Sequence, residues 1–372
     1  MANILGIVNF ESDRVNVEGL SDFRPVAAIS FLGRYRVIDF VLSNMVNSHI
    51  NQIKILVKYK PRSLIDHIGG GTQYNINSKT GSLQILYADQ QIANKMYYTD
   101  IALLNQYKLY IEDSHCDYVV IAPSYMICKI DYQQVLRQHL QTGADVTCVY
   151  KEIEECGDNY VSCHNLYMND EGWVIDAKVN HGGAGKKNIS MEAYLCSKEV
   201  FFKILETATK DSGLYSLRTY LGNNPTDFKM HGYKYEGYFA CLNSLKSYFN
   251  TSMELIDHEK AKGLFSKDWP IYTKTNDSAP AFYSKDANVK NCLIANGCVV
   301  QGELENCILG RGVKIKKGAK IKNSVILPGA IIGEDSNLEY TVVDKSAQVK
   351  CVKDIVGDQD HILYGLDHQQ YL

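Results

Sequence analysis

The stretch Asn9-Phe10-Glu11-Ser12-Asp13-Arg14-Val15-Asn16-Val17-Glu18 follows the first apolar run of the chain, where an α/β sheet usually holds phosphate. It has no glycine between Gly6 and Gly19 and carries three carboxylates. Without glycines the backbone N–H groups cannot close on a phosphate, and the carboxylates repel it. A phosphate cradle is therefore excluded here. Lys129 and Asp131 follow a strand-like run and have the types of a catalyst, but Asp131 directly precedes a helical pattern. That position reads as a helix N-cap beside a surface lysine. Arg311, Lys314, Lys316, Lys317, Lys320 and Lys322 make one basic segment, either a solvated face or an anion site. Cys292, Cys298 and Cys307 follow the turn beat of their surroundings rather than metal-ligand spacing, so they are expected to fill a core. His361 and His368 lack neighbouring cysteines, and no metal site is expected. No histidine lies between His258 and His361, which removes the general base that acyl transfer on a repeat domain would need.

These residues need elements to position them. Ile4–Val8, Ile53–Val57, Leu83–Tyr87, Tyr118–Ala122 and Val146–Tyr150 are short, mostly branched or aromatic runs bounded by polar residues, and read as strands. Val37–Asn47, Ser63–Ile68, Thr99–Glu112 and Tyr132–Thr142 read as helices between them. This alternation predicts βαβ units and a mostly parallel sheet covered by helices. Past Val161 the pattern loosens, with helices expected near Lys198–Thr207 and Leu245–Ile256. Residues 257–285, with Pro270, Pro280 and many small polar residues, read as a linker.

Beyond it the period changes. Counting in sixes from Val313 gives Val313, Ala319, Val325, Ile331, Asn337, Val343 and Val349; Val289, Ile294, Val299, Leu304 and Ile308 continue upstream in looser steps. With frequent glycines, that beat predicts a parallel β-helix of hexapeptide repeats. The expected organisation is an α/β domain over 1–256, a linker over 257–285, and a β-helix with a C-terminal tail over 286–372.

Composition narrows the function classes. The 372 residues carry 39 Lys and Arg against 42 Asp and Glu, a net charge of −3, so nucleic acid is not the expected partner. The 11 cysteines include no C-x-x-C pair and read as reduced thiols of a cytoplasmic protein. No apolar run is long enough to span a membrane, and the first residues lack the pattern of a secretory leader.

The run Gly33-Arg34-Tyr35-Arg36-Val37-Ile38-Asp39-Phe40-Val41-Leu42-Ser43-Asn44-Met45-Val46-Asn47-Ser48 resembles the G-K-[FY]-R-[IL]-I-D-F-x-L-S-N-x-x-N-S segment of ADP-glucose pyrophosphorylases, also called glucose-1-phosphate adenylyltransferases. Lys129-Ile130-Asp131-Tyr132, Ser190-Met191, Asp268-Trp269-Pro270-Ile271 and Asp344-Lys345 extend the likeness in the same order. The resemblance implies a Rossmann-like nucleotidyltransferase domain followed by a left-handed parallel β-helix. It also implies which positions have changed. The first-loop G-G-x-G-T-R-L falls on residues 11–17, without its glycines or arginine; the lysine of R-A-K-P-A-V falls on Val26. The metal-binding aspartates of G-D-H and W-R-D-V-G-T fall on Tyr125 and near Cys241, and G-T-A-D becomes Tyr98-Thr99-Asp100-Ile101. Val179-Asn180-His181 lies near the place of the E-K-P lysine.

Adenylyl transfer is positioning plus charge neutralisation, with Mg²⁺ held by carboxylates. A chain with Val26, Tyr125 and Cys241 at those places has lost the means, so the Mg²⁺ and ATP used by the family are not expected as its cofactors. The pattern resembles the non-catalytic, GlgD-type subunit of the heteromeric enzyme, which assembles with a catalytic sister subunit and modulates its synthesis of ADP-glucose for glycogen. On this reading Tyr97, Tyr98 and Tyr125 fill the vacated pocket, the alternative being ordinary packing. The resemblance further implies a phosphate or sugar-phosphate effector site near Asp344 and Lys345, with Arg24, Arg36 and Arg311 as further candidates, and a hetero- or homo-oligomer. The competing function is an active sugar nucleotidyltransferase with a rearranged Mg²⁺ site, for which Asp100 and Asp13 are the nearby carboxylates.

Overall fold

The computed structural model describes residues 3–10, 15–76, 81–87, 99–157, 159–350 and 354–365. The chain folds as two compact units: Met1–Arg14 with Phe40–Cys241 and Lys267–Tyr272, and Val15–Asp39 with Leu242–Ser266 and Thr273–Leu372. This differs from the linear division expected at 257–285. The second unit gathers early residues because Arg24 pairs with Asp344 at 2.6 Å and the Tyr248 hydroxyl donates to Ser30 O at 2.7 Å. Residues 257–285 are more than a linker, since they carry the helix His258–Lys262, capped by Asp257, and the strand Phe282–Tyr283.

In the first unit, the strand Ile4–Asn9 lies between Gln52–Val57 and Tyr118–Pro123, parallel to both, and Ser82–Tyr87 extends the sheet beyond Gln52–Val57. The two central strands, Ile4–Asn9 and Tyr118–Pro123, are nearly continuous apolar and buried runs, as strands covered on both faces are. Past Tyr118–Pro123 the sheet becomes mixed. Lys187–Ser197 runs antiparallel to it and to Val146–Ile153, and Met230–Lys234 pairs parallel with the latter. The expectation of a mostly parallel sheet thus holds for its N-terminal half only. Tyr132–Thr142 begins where Asp131 caps it, Oδ1 accepting from Gln133 N at 2.8 Å, and ends at Gly143 with φ 63°. The expected helix Thr99–Glu112 is two, Asp100–Gln106 and Lys108–Glu112, broken at Tyr107. The hydroxyl of Tyr107 is held by Tyr87 O at 3.0 Å.

The second unit holds a parallel β-helix. Phe282–Tyr283, Val299–Val300, Lys314–Ile315, Ile331–Ile332 and Gln348–Val349 stack as one parallel sheet, and Asn288–Lys290 begins a second. Successive coils are 17 residues apart except for one step of 15, as the corner contacts Asn306–Asn323 and Asn291–Asn306 record. One side of the coil is therefore a residue shorter than the six-residue count assumes. Ala330 is buried where the count gives Ile331, and Ser336 where it gives Asn337. Val343 and Val349 are buried at other positions of the coil. The sequence beat was real, but it slips past Val325.

The same corner explains the cysteines. Cys292, Cys307, Ser324 and Thr341 occupy one place in successive coils, and each donates to the carbonyl two residues back. Cys298 and Cys307 are buried as expected and Cys292 is half-buried. Among the described residues no helix is long and apolar enough to cross a membrane. Ile332, which has no exposed surface, reports on the stacked core. Ile332→Ala should lower the unfolding free energy by about 3 kcal/mol, read from urea denaturation; an unchanged midpoint would contradict this packing.

Candidate functional site

Tyr125 lies just past the carboxyl end of the strand Tyr118–Pro123, the end at which α/β sheets bind ligands. The short strand Met126–Cys128 then pairs antiparallel with Phe239–Cys241, setting Cys241 opposite Met126. Tyr125 and Cys241 are thereby brought together, and both are buried. Val26 belongs to the other unit, fully buried in the single turn Val26–Ala28. Tyr97, Tyr98 and Asp13, with residues 11–14 of the first loop, lie outside the described residues.

The structure adds two residues that sequence reasoning passed over. The pairing of Lys187–Ser197 with Val146–Ile153 shifts register between Ser190 and Ala193. There Glu192 takes φ +50°, a conformation that favours glycine, and Ser190 Oγ accepts from its backbone N–H at 3.1 Å. The carboxylate Oε2 accepts from Tyr125 OH at 2.6 Å, while Oε1 lies 2.9 Å from Arg218 Nη1. Arg218 also donates to Ser162 O. Its helix, Leu217–Asn223, starts at a Ser216 capping box and is held by Asp100, whose Oδ1 accepts from Leu217 N at 2.9 Å. Only the neighbouring Ser190-Met191 drew attention in the sequence; nothing local in it marks Glu192 or Arg218.

The electrostatics follow from burial. Tyr125 is pushed well above the usual tyrosine range by burial and then by the Glu192 charge, so it stays a neutral phenol. Burial also raises Glu192, with Arg218 opposing it, while the same carboxylate holds the Arg218 guanidinium charged. Cys241 sits 3.8 Å from Cys163, Sγ to Sγ, and that contact together with burial keeps its thiol protonated.

Magnesium wants several oxygen donors with net negative charge. The phenol and thiol here are neutral, and the one carboxylate among them is already ion-paired; this donor set does not fit a hard divalent cation. Asp100 is committed as well. Its Oδ1 accepts from the N–H groups of Ile101 and Leu217, its Oδ2 from Asn9 Nδ2 at 2.6 Å, and burial raises its pKa. Among the described residues no group of three His, Cys, Asp or Glu is placed to hold a metal.

The effector candidates all fall in the second unit. Asp344 is buried and fully engaged: Oδ2 meets Arg24 at 2.6 Å and accepts from Tyr364 OH at 2.8 Å, and Oδ1 accepts from Lys345 N at 2.6 Å. The Arg36 backbone N–H donates to Asp39 Oδ2 at 2.8 Å. Arg311 donates through Nη2 to Lys274 O at 2.9 Å, while its buried Nε has no hydrogen-bond partner among the described residues. Burial and the nearby Arg34 charge lower its pKa.

Two predictions follow from the Tyr125 network. Tyr125→Phe should lower the unfolding free energy by about 2 kcal/mol in urea denaturation, since a hydrogen bond to a charged group is lost. Because Glu192 titrates above its unfolded value of 4.5, the folded state binds its proton more tightly. Its contribution is thus fully present at low pH and lost as pH rises through the folded value. The wild type should lose stability relative to Glu192→Gln as pH rises above 4.5; a constant difference would contradict the buried carboxylate.

Comparison with known proteins gives the same order of parts. Residues 17–158 match the family described as Nucleotidyl transferase, and residues 280–362 match GlmU-like, C-terminal hexapeptide. The "Glycogen biosynthesis protein GlgD" of Bacillus subtilis (strain 168) is 32% identical over 97% of this chain and 94% of its own length. That of Geobacillus stearothermophilus is 34% identical over 86% of this chain and 82% of its own. The "Glucose-1-phosphate adenylyltransferase" of Fervidobacterium nodosum is 27% identical over 94% and 85%.

Proposed function

The chain belongs to the family of the glycogen biosynthesis protein GlgD and the glucose-1-phosphate adenylyltransferases, and on that premise we propose that it is a regulatory, non-catalytic subunit of a heteromeric glucose-1-phosphate adenylyltransferase. It acts in the cytoplasm, assembles with a catalytic sister subunit, and modulates the supply of ADP-glucose for glycogen synthesis. The observation that carries this reading is the closed set Tyr125–Glu192–Arg218 at the carboxyl end of the central sheet. Moving an adenylyl group between phosphate oxygens requires a cation on those oxygens and basic groups against the remaining charge. Tyr125 and Cys241 supply no anion, and Arg218 is already held by Glu192. Each absence removes a separate part of the transition-state stabilisation.

An active enzyme with a rearranged site would need free carboxylates. Asp100 has both oxygens engaged. A single assay separates the two readings: ADP-glucose formation by the purified chain, by the catalytic sister subunit, and by the mixture. Negligible turnover alone with altered kinetics in the mixture is expected. Robust synthesis by the pure chain, free of sister protein, would establish the active enzyme instead.

We further propose that a phosphate or sugar-phosphate effector acts through the second unit, on Arg311 with Lys345. The unpartnered Nε of Arg311 supports an anion there, with the like charge of Arg34 beside it and the carboxylate of Asp39 opposing both. Lys345→Ala and Arg311→Ala should each weaken the effector response of the mixed enzyme by at least about tenfold in half-saturating concentration, the cost of a charged hydrogen bond. An unchanged response in both variants would contradict it.

A further inference from the structure

We infer that the second unit carries a binding site for a small neutral polyhydroxylated molecule, a sugar or sugar alcohol, between the helix Leu245–Glu254 and one corner of the β-helix. A cavity of about 560 Å³ opens there, within the range of small-ligand sites.

One wall is a ladder of side-chain amides. Asn291, Asn306 and Asn323 turn the corner in successive coils with φ of 50°, 52° and 43°, a conformation that asparagine tolerates. Asn291 Nδ2 donates to Asn306 Oδ1 at 2.7 Å, and Asn306 Nδ2 to Asn323 Oδ1 at 3.1 Å. A carboxamide carries two N–H bonds, so each donating rung keeps a second hydrogen for a ligand. From the helix, exposed Asn250 adds another amide to the same cavity.

The fourth corner breaks the series. Tyr340 stands where asparagine is expected, at φ +48°, where a bulky side chain is strained. The exchange sets a phenol ring at the cavity, 6.3 Å from the ring of Phe249 and tilted 47° to it. Met253 and Ile256 complete an apolar floor.

Charge decides the ligand class. At the rim Lys246 pairs with Asp360 at 2.9 Å, and Gln359 Nε2 reaches Tyr340 OH at 3.4 Å. The lining cation is thus neutralised, so an anion gains no counter-charge, while a hydrocarbon would leave the amides dry. Aromatic rings against amides suit a molecule with a C–H face and a hydroxyl edge. No residue of the first unit enters this argument, so it stands or falls apart from the catalytic status proposed above.

Saturation-transfer NMR on the full chain, with methyl α-D-glucoside, maltose and glucose 1-phosphate as probes, tests the site. A neutral sugar should receive saturation at its C–H protons. Asn250→Ala should raise its dissociation constant about fivefold, as for one lost hydrogen bond. Tyr340→Asn restores the repeating corner residue, so thermal stability should hold or rise while sugar binding falls. No transfer to either neutral sugar, transfer that survives both variants, or binding confined to the phosphorylated sugar would overturn the inference.

Discussion

A carboxylate cannot keep its charge in a protein interior without a partner, and Glu192 has Arg218. This buried pair governs the end of the sheet where a ligand would otherwise enter. The carboxylate holds the Tyr125 hydroxyl, the guanidinium holds Ser162 O, and the two together present almost no net charge. Geometry makes the pair possible through two separate devices. A register shift in Lys187–Ser197 turns Glu192 inward at a positive φ, and Asp100 pins the first residue of the Arg218 helix. Removing either partner would leave the other buried and alone, which costs more than the pair contributes.

The β-helix solves a different problem by repetition. Its corners need residues that accept positive φ, and Gly297, Gly312, Gly329 and Ser346 meet that need at one corner as asparagines do at another. Identical rungs stack identical groups, so side-chain amides bond to their own kind and thiols or hydroxyls repeat one contact to the backbone. A departure from such a series stands out against its neighbours, as Tyr340 does.

Much of the fold was legible because the signals were local. Ile4–Asn9 is a run of apolar residues in a covered sheet, and Asp131 marks the start of Tyr132–Thr142. The six-residue beat announced the β-helix, though its 17-residue coil put Ala330 and Ser336 where simple counting gave Ile331 and Asn337. What escaped was long-range. Glu192 meets Arg218 and Tyr125 only through the bulge and the packed helix, and no spacing in the chain announces that meeting. The boundary of the second unit escaped for the same reason, since Arg24 finds Asp344 across 320 residues. The resemblance to the adenylyltransferases named Tyr125 and Cys241 as neighbours before any geometry did; it gave no hint of the charge pair behind them.

The central claim is that this pocket, its one carboxylate paired with Arg218, has no hold on a metal–nucleotide complex. Titrating the purified chain into Mn²⁺–ATP and following the manganese signal by electron paramagnetic resonance tests it most directly. The account predicts a signal indistinguishable from free Mn²⁺–ATP at every protein concentration. A saturable loss of that signal with one metal taken up per chain, abolished by Glu192→Gln, would contradict it.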